Sequence, residues 1–465
     1  MADFAFLSVV ELSRLLRQKK TSATELATYF LDRLERLGPR FNAVVTVTRE
    51  RALAEAAQAD REIRQGKWRG PLHGIPYGVK DLLATKDYPT TWGAEPYRQQ
   101  KFDSDATVVA RLGAAGAVLV AKLAMVELAG GMGYNQANAS FTGPGKTPWN
   151  PSYWSGGSSS GPGAAVAAGL VPFAIGSETS GSILTPAAYC GVTGLRPTYG
   201  LVSRHGAMAL AWTMDKLGPL GRSAEDCGIV LAAIAGKDPK DPSAVDRGFR
   251  VPAAEPAKRY RIGVPKGADK DIQPEVAANF RAALKVLQDR VELVEDVELP
   301  DLPYGAVAGM IIAAEGASAF DDLLKDGRLS QLTAPEDRTG GYPALAVSAP
   351  DYLRALRARR PMQRTLDEFL KKFDALAVPT RTTVATPFDK PFRDGWPGVA
   401  GGANVIGPTN VVGVPGISVP NGFGVQNLPT GLSFTTRAFD EAKLVTLARL
   451  YQTRTEWHTR RPPLD

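Results

Sequence analysis

An α/β fold with a largely parallel or mixed sheet is predicted by three observations. Short apolar segments alternate with helical stretches at close spacing, as where Ala106 to Ala115 (helix) leads to Ala117 to Leu123 (strand). The chain has 465 residues, 44% of them hydrophobic and 22% charged, which is enough for a substantial core and is the balance of a globular chain. No internal repeat or low-complexity tail interrupts the rhythm. One continuous α/β domain over residues 1–465 is expected, with a helical cap at about residues 300–370.

The elements follow in order from local signals. Ser8 with Glu11 and Ser22 with Glu25 form two capping boxes, each opening a helix, the second ended by Gly38-Pro39. Phe41 to Val47 alternates as a strand, and Arg49 to Gln65 is an alanine- and charge-rich helix with Gly66 past its C-terminus. Tyr77 to Leu83 reads as a strand. Ser223 caps a helix through Ala235, and Lys237 to Lys258 is a surface connection rich in proline, aspartate and lysine. Ile262 to Val264 is a strand and Pro274 to Asp289 a helix with proline in its first turn. Tyr304 to Lys325 and Tyr352 to Phe373 are helical, the second interrupted at Pro361. Ala375 to Val378, Ile417 to Val419 and Gly431 to Phe434 are short strands, and Glu441 to Arg454 closes as a helix.

Composition excludes several classes. The net charge of +7 is spread along the chain. Its densest cluster, Arg354, Arg357, Arg359, Arg360 and Arg364, has no interleaved aromatic platform and reads as a solvated helix face, so no nucleic-acid partner is expected. Two cysteines, Cys190 and Cys227, exclude a disulfide framework and fit a reducing compartment. No apolar run reaches the roughly 18 residues of a spanning helix, and MADFAFLSVVELSRLL lacks a basic stretch before its apolar residues. A cytoplasmic protein, monomer or homodimer, without a membrane partner is expected.

The informative stretch is Trp154 to Cys190, WSGGSSSGPGAAVAAGLVPFAIGSETSGSILTPAAYC. Gly156 to Gly163 is too rich in glycine and serine for a helix interior or a strand. Ala164 to Leu170 is a small-residue helix, Val171 to Ile175 a buried strand, and Ser177 to Ser182 a second hydroxyl- and glycine-rich loop. Loops held on a buried strand and helix can aim backbone N–H groups and serine hydroxyls at a ligand.

Cofactor and metal signatures are missing: the chain has no phosphate-binding G-x-x-x-x-G-K-[ST], no G-x-G-x-x-G after a strand, no H-E-x-x-H and no C-x-x-C. With three histidines and two distant cysteines, neither a metal nor a cofactor is expected. Serine chemistry has two readings. Gly157 to Gly161 matches the G-x-S-x-G elbow with Ser159 as nucleophile, as in an α/β-hydrolase-type esterase, but Pro144, Pro148 and Pro151 stand where the preceding strand should be. The other reading uses Lys80, a lysine inside an apolar strand, which deprotonates a serine if burial lowers its pKa. From local context alone Lys80 is equally a lysine paired with Asp81, or one on the exposed face of an edge strand.

SGGSSSGPGAAVAAG followed by GSETSGSILTPAAYCGVTGLRPTYGLVS resembles the amidase signature family, with its GGSSGGS and G-S-D-x-G-G-S-I-R-x-P-A elements. The resemblance extends to GIPYGVKDL, TPWNP and GVPGISVP and covers roughly residues 8 to 455. It implies a large mixed β-sheet covered by helices on both faces, and a Ser–cis-Ser–Lys triad at Ser182, Ser158 and Lys80. Ser182 would be the nucleophile. Ser158, preceded by a cis peptide, would relay its proton to neutral Lys80, and the N–H groups of Thr179, Ser180, Gly181 and Ser182 would form the oxyanion hole.

Departures from the family pattern bear on substrate. Ser180 and Leu184 stand where the family has a glycine and an arginine, leaving an apolar setting without an arginine fork. The chain is most like the A subunits of tRNA-dependent amidotransferases and their free-standing amidase relatives. The amidotransferase reading implies glutamine, a charged tRNA and a partner subunit. Residues 403–413, ANVIGPTNVVG, contain no acid to hold glutamine's amino group, which favours a free-standing hydrolase of amides, esters or carbamates (urethanes). Access is expected past Leu128, Ala129, Gly130, Gly131, Met132 and Tyr134, and past the loop Phe388 to Gly402, whose Phe388, Phe392 and Trp396 are positioned to cover an apolar group.

Overall fold

The computed structural model describes residues 3–252, 259–399, 401–402 and 405–464. Parts of three sequence features, residues 253–258 of the predicted connection, 400 of the predicted loop, and 403 and 404 of the acid-free stretch, lie outside the described residues.

Eleven strands form one sheet among the described residues: β1 (Val44–Val47), β2 (Pro76–Lys80), β3 (Val118–Leu123), β4 (Phe173–Glu178), β5 (Thr193–Arg196), β6 (Lys216–Gly221), β7 (Tyr260–Pro265), β8 (Val291–Val297), β9 (Ala375–Pro379), β10 (Gly416–Phe423) and β11 (Pro429–Thr435). Their order is β1-β3-β2-β4-β6-β5-β10-β11-β9-β7-β8. β2 runs parallel to both β3 and β4, and β7 to both β8 and β9, while the remaining pairs are antiparallel. The sheet is therefore mixed. Every residue of β2, β3, β4, β5, β6, β9 and β11 is buried, so side chains on both faces of the sheet are covered. The end strands β1 and β8 are partly open, as are the first two residues of β7 and the last of β10. No helix among the described residues is long and apolar enough to cross a membrane.

Capping chemistry explains the helix starts, with one correction. Ser8 and Glu11 make the reciprocal box that opens Val9–Arg17. At Ala23–Leu37 only half of a box forms: Ser22 accepts from the Glu25 amide, but the Glu25 carboxylate takes the Thr21 hydroxyl, 2.7 Å away.

Three further expectations are corrected. The helix after the first serine loop begins at Ser160, not Ala164, and spans Ser160–Ala167. Glycine and proline are tolerated there because first-turn amides need no intrahelical acceptor. Gly161 is required by packing, since a Cβ would lie 2.4–2.6 Å from Ala124 and Ala43 backbone atoms. The helix Ala349–Leu370 runs through Pro361. Buried Ala355, Met362 and Leu366 hold it, and Arg359 Nε donates to the Val411 carbonyl at 2.5 Å. Strands β5, β6 and β8 escape the sequence pattern. β6, KLGPLG, reads as a loop, yet it lies between β4 and β5, where a Cβ on Gly218 would stand 2.2 Å from the Leu195 carbonyl oxygen.

Helices Tyr304–Ala319, Asp321–Lys325 and Ala349–Leu370 occupy most of residues 304–370. The first and last of these share a second apolar cluster with Val411 and Val412 of Ile406–Val412.

Candidate active site

β2 and β4 are parallel neighbours, so their carboxyl ends lie side by side, with Val79 opposite Ile175. Ligand sites in open α/β sheets form at such ends. Lys80 is the last residue of β2, fully buried. Its Nζ donates to Ser158 Oγ at 2.7 Å and to Ser177 Oγ at 2.9 Å. Burial pushes the Lys80 amine down to about 7, against the opposing fields of Asp215 and Glu178. The alternative pairing with Asp81 does not form: Asp81 faces the other way and pairs with Lys122 Nζ at 2.9 Å, both groups fully buried. Nor is β2 an edge strand.

The peptide between Gly157 and Ser158 is cis. The two serine loops touch through the Ser159 amide, which donates to the Ser182 carbonyl at 3.3 Å. Ser182 lies in the turn between β4 and the helix Leu184–Cys190, which Gly181 enters at φ +92°, a conformation that favours glycine. Ser159 is placed structurally. Its hydroxyl donates to the Ser177 carbonyl at 3.1 Å and accepts from the Ser177 amide at 3.2 Å, and no strand leads into it. The nucleophile-elbow alternative is thereby corrected.

Two buried networks hold the Ser182 turn. The Glu178 carboxylate accepts from the Ile183 and Leu184 amides at 2.8 and 3.0 Å, from Arg196 Nη1 at 2.9 Å and from Asn410 Nδ2 at 2.7 Å. Burial alone would raise this acid, but the charges of Arg196 and Lys216 and its hydrogen bonds hold it at about 2. On the other side Thr179 Oγ1 donates to Asp215 at 2.6 Å, and Asp215 also accepts from the Leu210 and Ala211 amides. The Lys216 ammonium reaches the Thr179 carbonyl at 3.4 Å, and burial pushes this lysine well down. Replacing Glu178 with alanine leaves the Arg196 charge buried without its partner. The expected loss is about 3–5 kcal/mol of stability, measured by denaturant unfolding, together with a fall in kcat as the turn loosens.

Two cavities open on these loops. One, about 660 Å³, is bordered by Ser177, Thr179, Leu82, Met208 and Trp212. The other, about 860 Å³, is bordered by Gly157, Ser180, Tyr134, Trp154, Arg381 and Trp396. Of the predicted access residues, Tyr134 and Trp396 border the larger cavity and Ala129 the smaller. Phe392 also borders the larger one, stacked on Trp154 with ring centroids 4.3 Å apart, whereas Phe388 does not. Leu128 and Met132 are corrected: both are packed in the main core and border neither cavity, because Leu128 and Ala129 take left-handed backbone that turns the segment inward. Gly130 and Gly131 border neither cavity and serve close packing, a Cβ at each meeting Tyr134 or Leu210 within 2.7 Å. Ser177, Asp215 and Arg381 were not singled out from sequence. Only Arg381 carries a local signal, a charge placed two residues past the end of a buried strand.

The access segment is tied down by two acids. Glu127 accepts from the Thr333 and Ala334 amides at 2.8 and 3.0 Å, and Asp337 accepts from the Tyr134 amide at 3.1 Å. Burial pushes both acids up, Glu127 to about 7; the Asp337 charge adds to the rise of Glu127, whereas a hydrogen bond with Glu127 partly holds Asp337 down. In the folded chain this pair keeps protons that the unfolded chain has released, so stability falls as pH rises from the usual carboxylate range to about 7. Asp337→Asn removes one of the two like charges. Its Tm is expected to fall less than the wild type's over that window, by about 2 °C, read from thermal unfolding at pH 5 and pH 8.

These features define an α/β protein built around a buried lysine and two serine loops, and the family follows from comparison. A model of the Amidase family matches residues 25–445, and the chain belongs to that family. It is 38% identical to the A subunit of the glutamyl-tRNA(Gln) amidotransferase of Moorella thermoacetica, over 99% of each chain. Among solved structures it is similar to the native peptide amidase from Stenotrophomonas maltophilia, with a TM-score of 0.87 and 31% identity over 99% of each chain. It is also similar to the A subunit of the glutamyl-tRNA(Gln) amidotransferase from Thermotoga maritima, with a TM-score of 0.80 and 29% identity over 97% of this chain and 95% of the other.

Proposed function

We propose that the chain hydrolyses the C–N bond of carboxamides through an acyl-enzyme on Ser182. The observation that carries this is the buried Lys80 amine 2.7 Å from the Ser158 hydroxyl, on the loop that touches the Ser182 turn. Neutral Lys80 accepts the Ser158 proton while Ser158 takes the proton of Ser182. The freed Ser182 oxygen attacks the carbonyl carbon, and the developing oxyanion is held by N–H groups of Thr179, Ser180, Gly181 and Ser182. Each such donor is typically worth about 3–4 kcal/mol in the transition state. As the tetrahedral species collapses, the C–N bond breaks and the amine leaves with the proton returned from Lys80 through Ser158. Water then attacks the acyl ester by the same relay, releasing the acid and restoring Ser182. The attack is the same on esters and carbamates, which differ only in leaving group and acyl-enzyme.

Two substrate readings remain, and the relatives reverse the order in which sequence reasoning placed them. The curated relatives are amidotransferase A subunits, which supports glutamine as the amide, with a charged tRNA and a partner subunit. The free-standing amidase reading is favoured by one observation: no aspartate or glutamate is among the described residues bordering the larger cavity, so no carboxylate among them complements an α-ammonium group. Purified protein assayed alone on anilides, aliphatic amides, carbamates and glutamine separates them. Turnover of simple amides by the protein alone supports the second reading. Turnover of glutamine only, and only with tRNA and a partner subunit, establishes the first.

A further inference from the structure

Two fully buried cations near the site have carboxylate partners: Arg196 has Glu178 and Lys122 has Asp81, each at 2.9 Å. Arg381 does not. It lies two residues past the end of β9 and is half-buried; its Nε is shielded from solvent without a hydrogen-bond partner, and among the described residues it makes no ion pair. Its guanidinium lies over the Tyr189 ring, 5.9 Å from the centroid, and borders the larger cavity. Among the described residues the only other arginine, lysine or carboxylate bordering that cavity is Arg393, an exposed residue paired with Asp394 at 3.7 Å.

The surroundings specify what would satisfy this cation. Thr382, Thr383 and Thr386 offer hydroxyls beside it, and the aromatic walls accept a flat apolar body. A guanidinium presents two parallel N–H donors that match a carboxylate, and a carboxylate arriving from water supplies the partner that the fold omits. Gly157 and Ser180, which border the cavity together with Arg381, lie next to Ser158 and close to Ser182 in the chain, so a molecule held on Arg381 lies beside the two serine loops.

We infer that Arg381 binds a carboxylate of the substrate, which is therefore an amide carrying a carboxylate group and no ammonium group beside it. This rests on the amide-hydrolase reading and sharpens it. A free α-amino acid amide would bring its ammonium group towards two arginines with no acid to receive it.

Binding is measured by calorimetry in the Ser182→Ala protein, with 4-acetamidobenzoate and succinanilate against their methyl esters, and with glutaramate against glutamine. At least one aromatic acid is expected to bind about tenfold or more tightly than its ester, and glutaramate more tightly than glutamine. Arg381→Met in the same background is expected to erase the acid–ester gap. Arg381→Lys, which keeps the charge but loses the fork, is expected to keep part of it, and matching thermal unfolding shows that each variant is folded. The inference is overturned if neither acid binds at millimolar concentration, if acids and esters bind alike, if the gap survives Arg381→Met, or if glutamine binds as tightly as glutaramate. These readouts need no turnover. Failure of the hydrolase reading appears separately, as wild-type turnover by the Ser182→Ala protein.

Discussion

Ser182→Ala is expected to abolish amide turnover, lowering kcat by on the order of 10⁴-fold or more, with little change in fold. The hydroxyl sits on a turn whose geometry is set by its neighbours. Glu178 accepts from the Ile183 and Leu184 amides, Thr179 is pinned to Asp215, and the contact to the first loop uses the Ser182 carbonyl. None of these bonds needs the Ser182 hydroxyl. Residual activity would come from oxyanion stabilisation and positioning alone. A purified variant with undiminished kcat on any amide the wild type cleaves would remove Ser182 from the mechanism.

The second large effect is expected at Lys80 and has two parts. With the neutral amine as the proposed base, kcat/KM is expected to rise with pH through an apparent pKa of about 7 and then level off. Lys80→Met should lower kcat nearly as far as Ser182→Ala does, and the residual rate should lose this pH dependence. Stability should move in the opposite direction. The folded amine titrates at about 7 and the unfolded one near its ordinary value of 10.5. Between those limits the unfolded chain binds one more proton, so wild-type stability rises with pH across that window. Below it, burying Lys80 costs roughly 5 kcal/mol, partly offset by its bonds to Ser158 and Ser177. Lys80→Met should therefore have a higher Tm than wild type at pH 6, and the difference should narrow towards pH 10. A Tm below that of wild type at every pH would mean that Lys80 is held as a charged, structural residue.

Arg381, half-buried, and Lys80, fully buried, show how surroundings separate two roles for a cation. Lys80 has hydroxyl partners and gives up its proton, which suits a base. Arg381 keeps its charge because a guanidinium does not deprotonate under ordinary conditions. An uncompensated charge of that kind, beside a cavity, is directed at something that enters from solvent.

Much of the fold is legible in local pattern. Ser8 and Glu11 mark a helix start because side chains three residues apart satisfy each other's backbone groups without tertiary help. The strands around Val79, Leu119, Ile175, Ala377 and Leu432 announce themselves as short apolar runs because both faces of the sheet are covered. β6 and β8 do not, since KLGPLG owes its extended form to two neighbouring strands and VELVEDV lies at the sheet's end, where charge is tolerated. The start of the helix Ser160–Ala167 is equally hidden. Its glycines look like loop; Gly161 is required because the backbones of Ala43 and Ala124 press against it, and Gly163 because Pro186 does.

The site divides along the same line. The sequence alone determined that the chain is an α/β protein, that two serine- and glycine-rich loops flank one buried strand, and that one lysine sits inside an apolar strand. It could not say which way that lysine points, and Lys80 with Asp81 was as plausible an ion pair as any. Tertiary structure decided this because successive residues of a strand project to opposite faces. Asp81 is sent to Lys122 on one side and Lys80 to Ser158 and Ser177 on the other. Whether a buried lysine is a structural ion or a base depends on which strand lies beside it, and that pairing joins residues nearly a hundred positions apart.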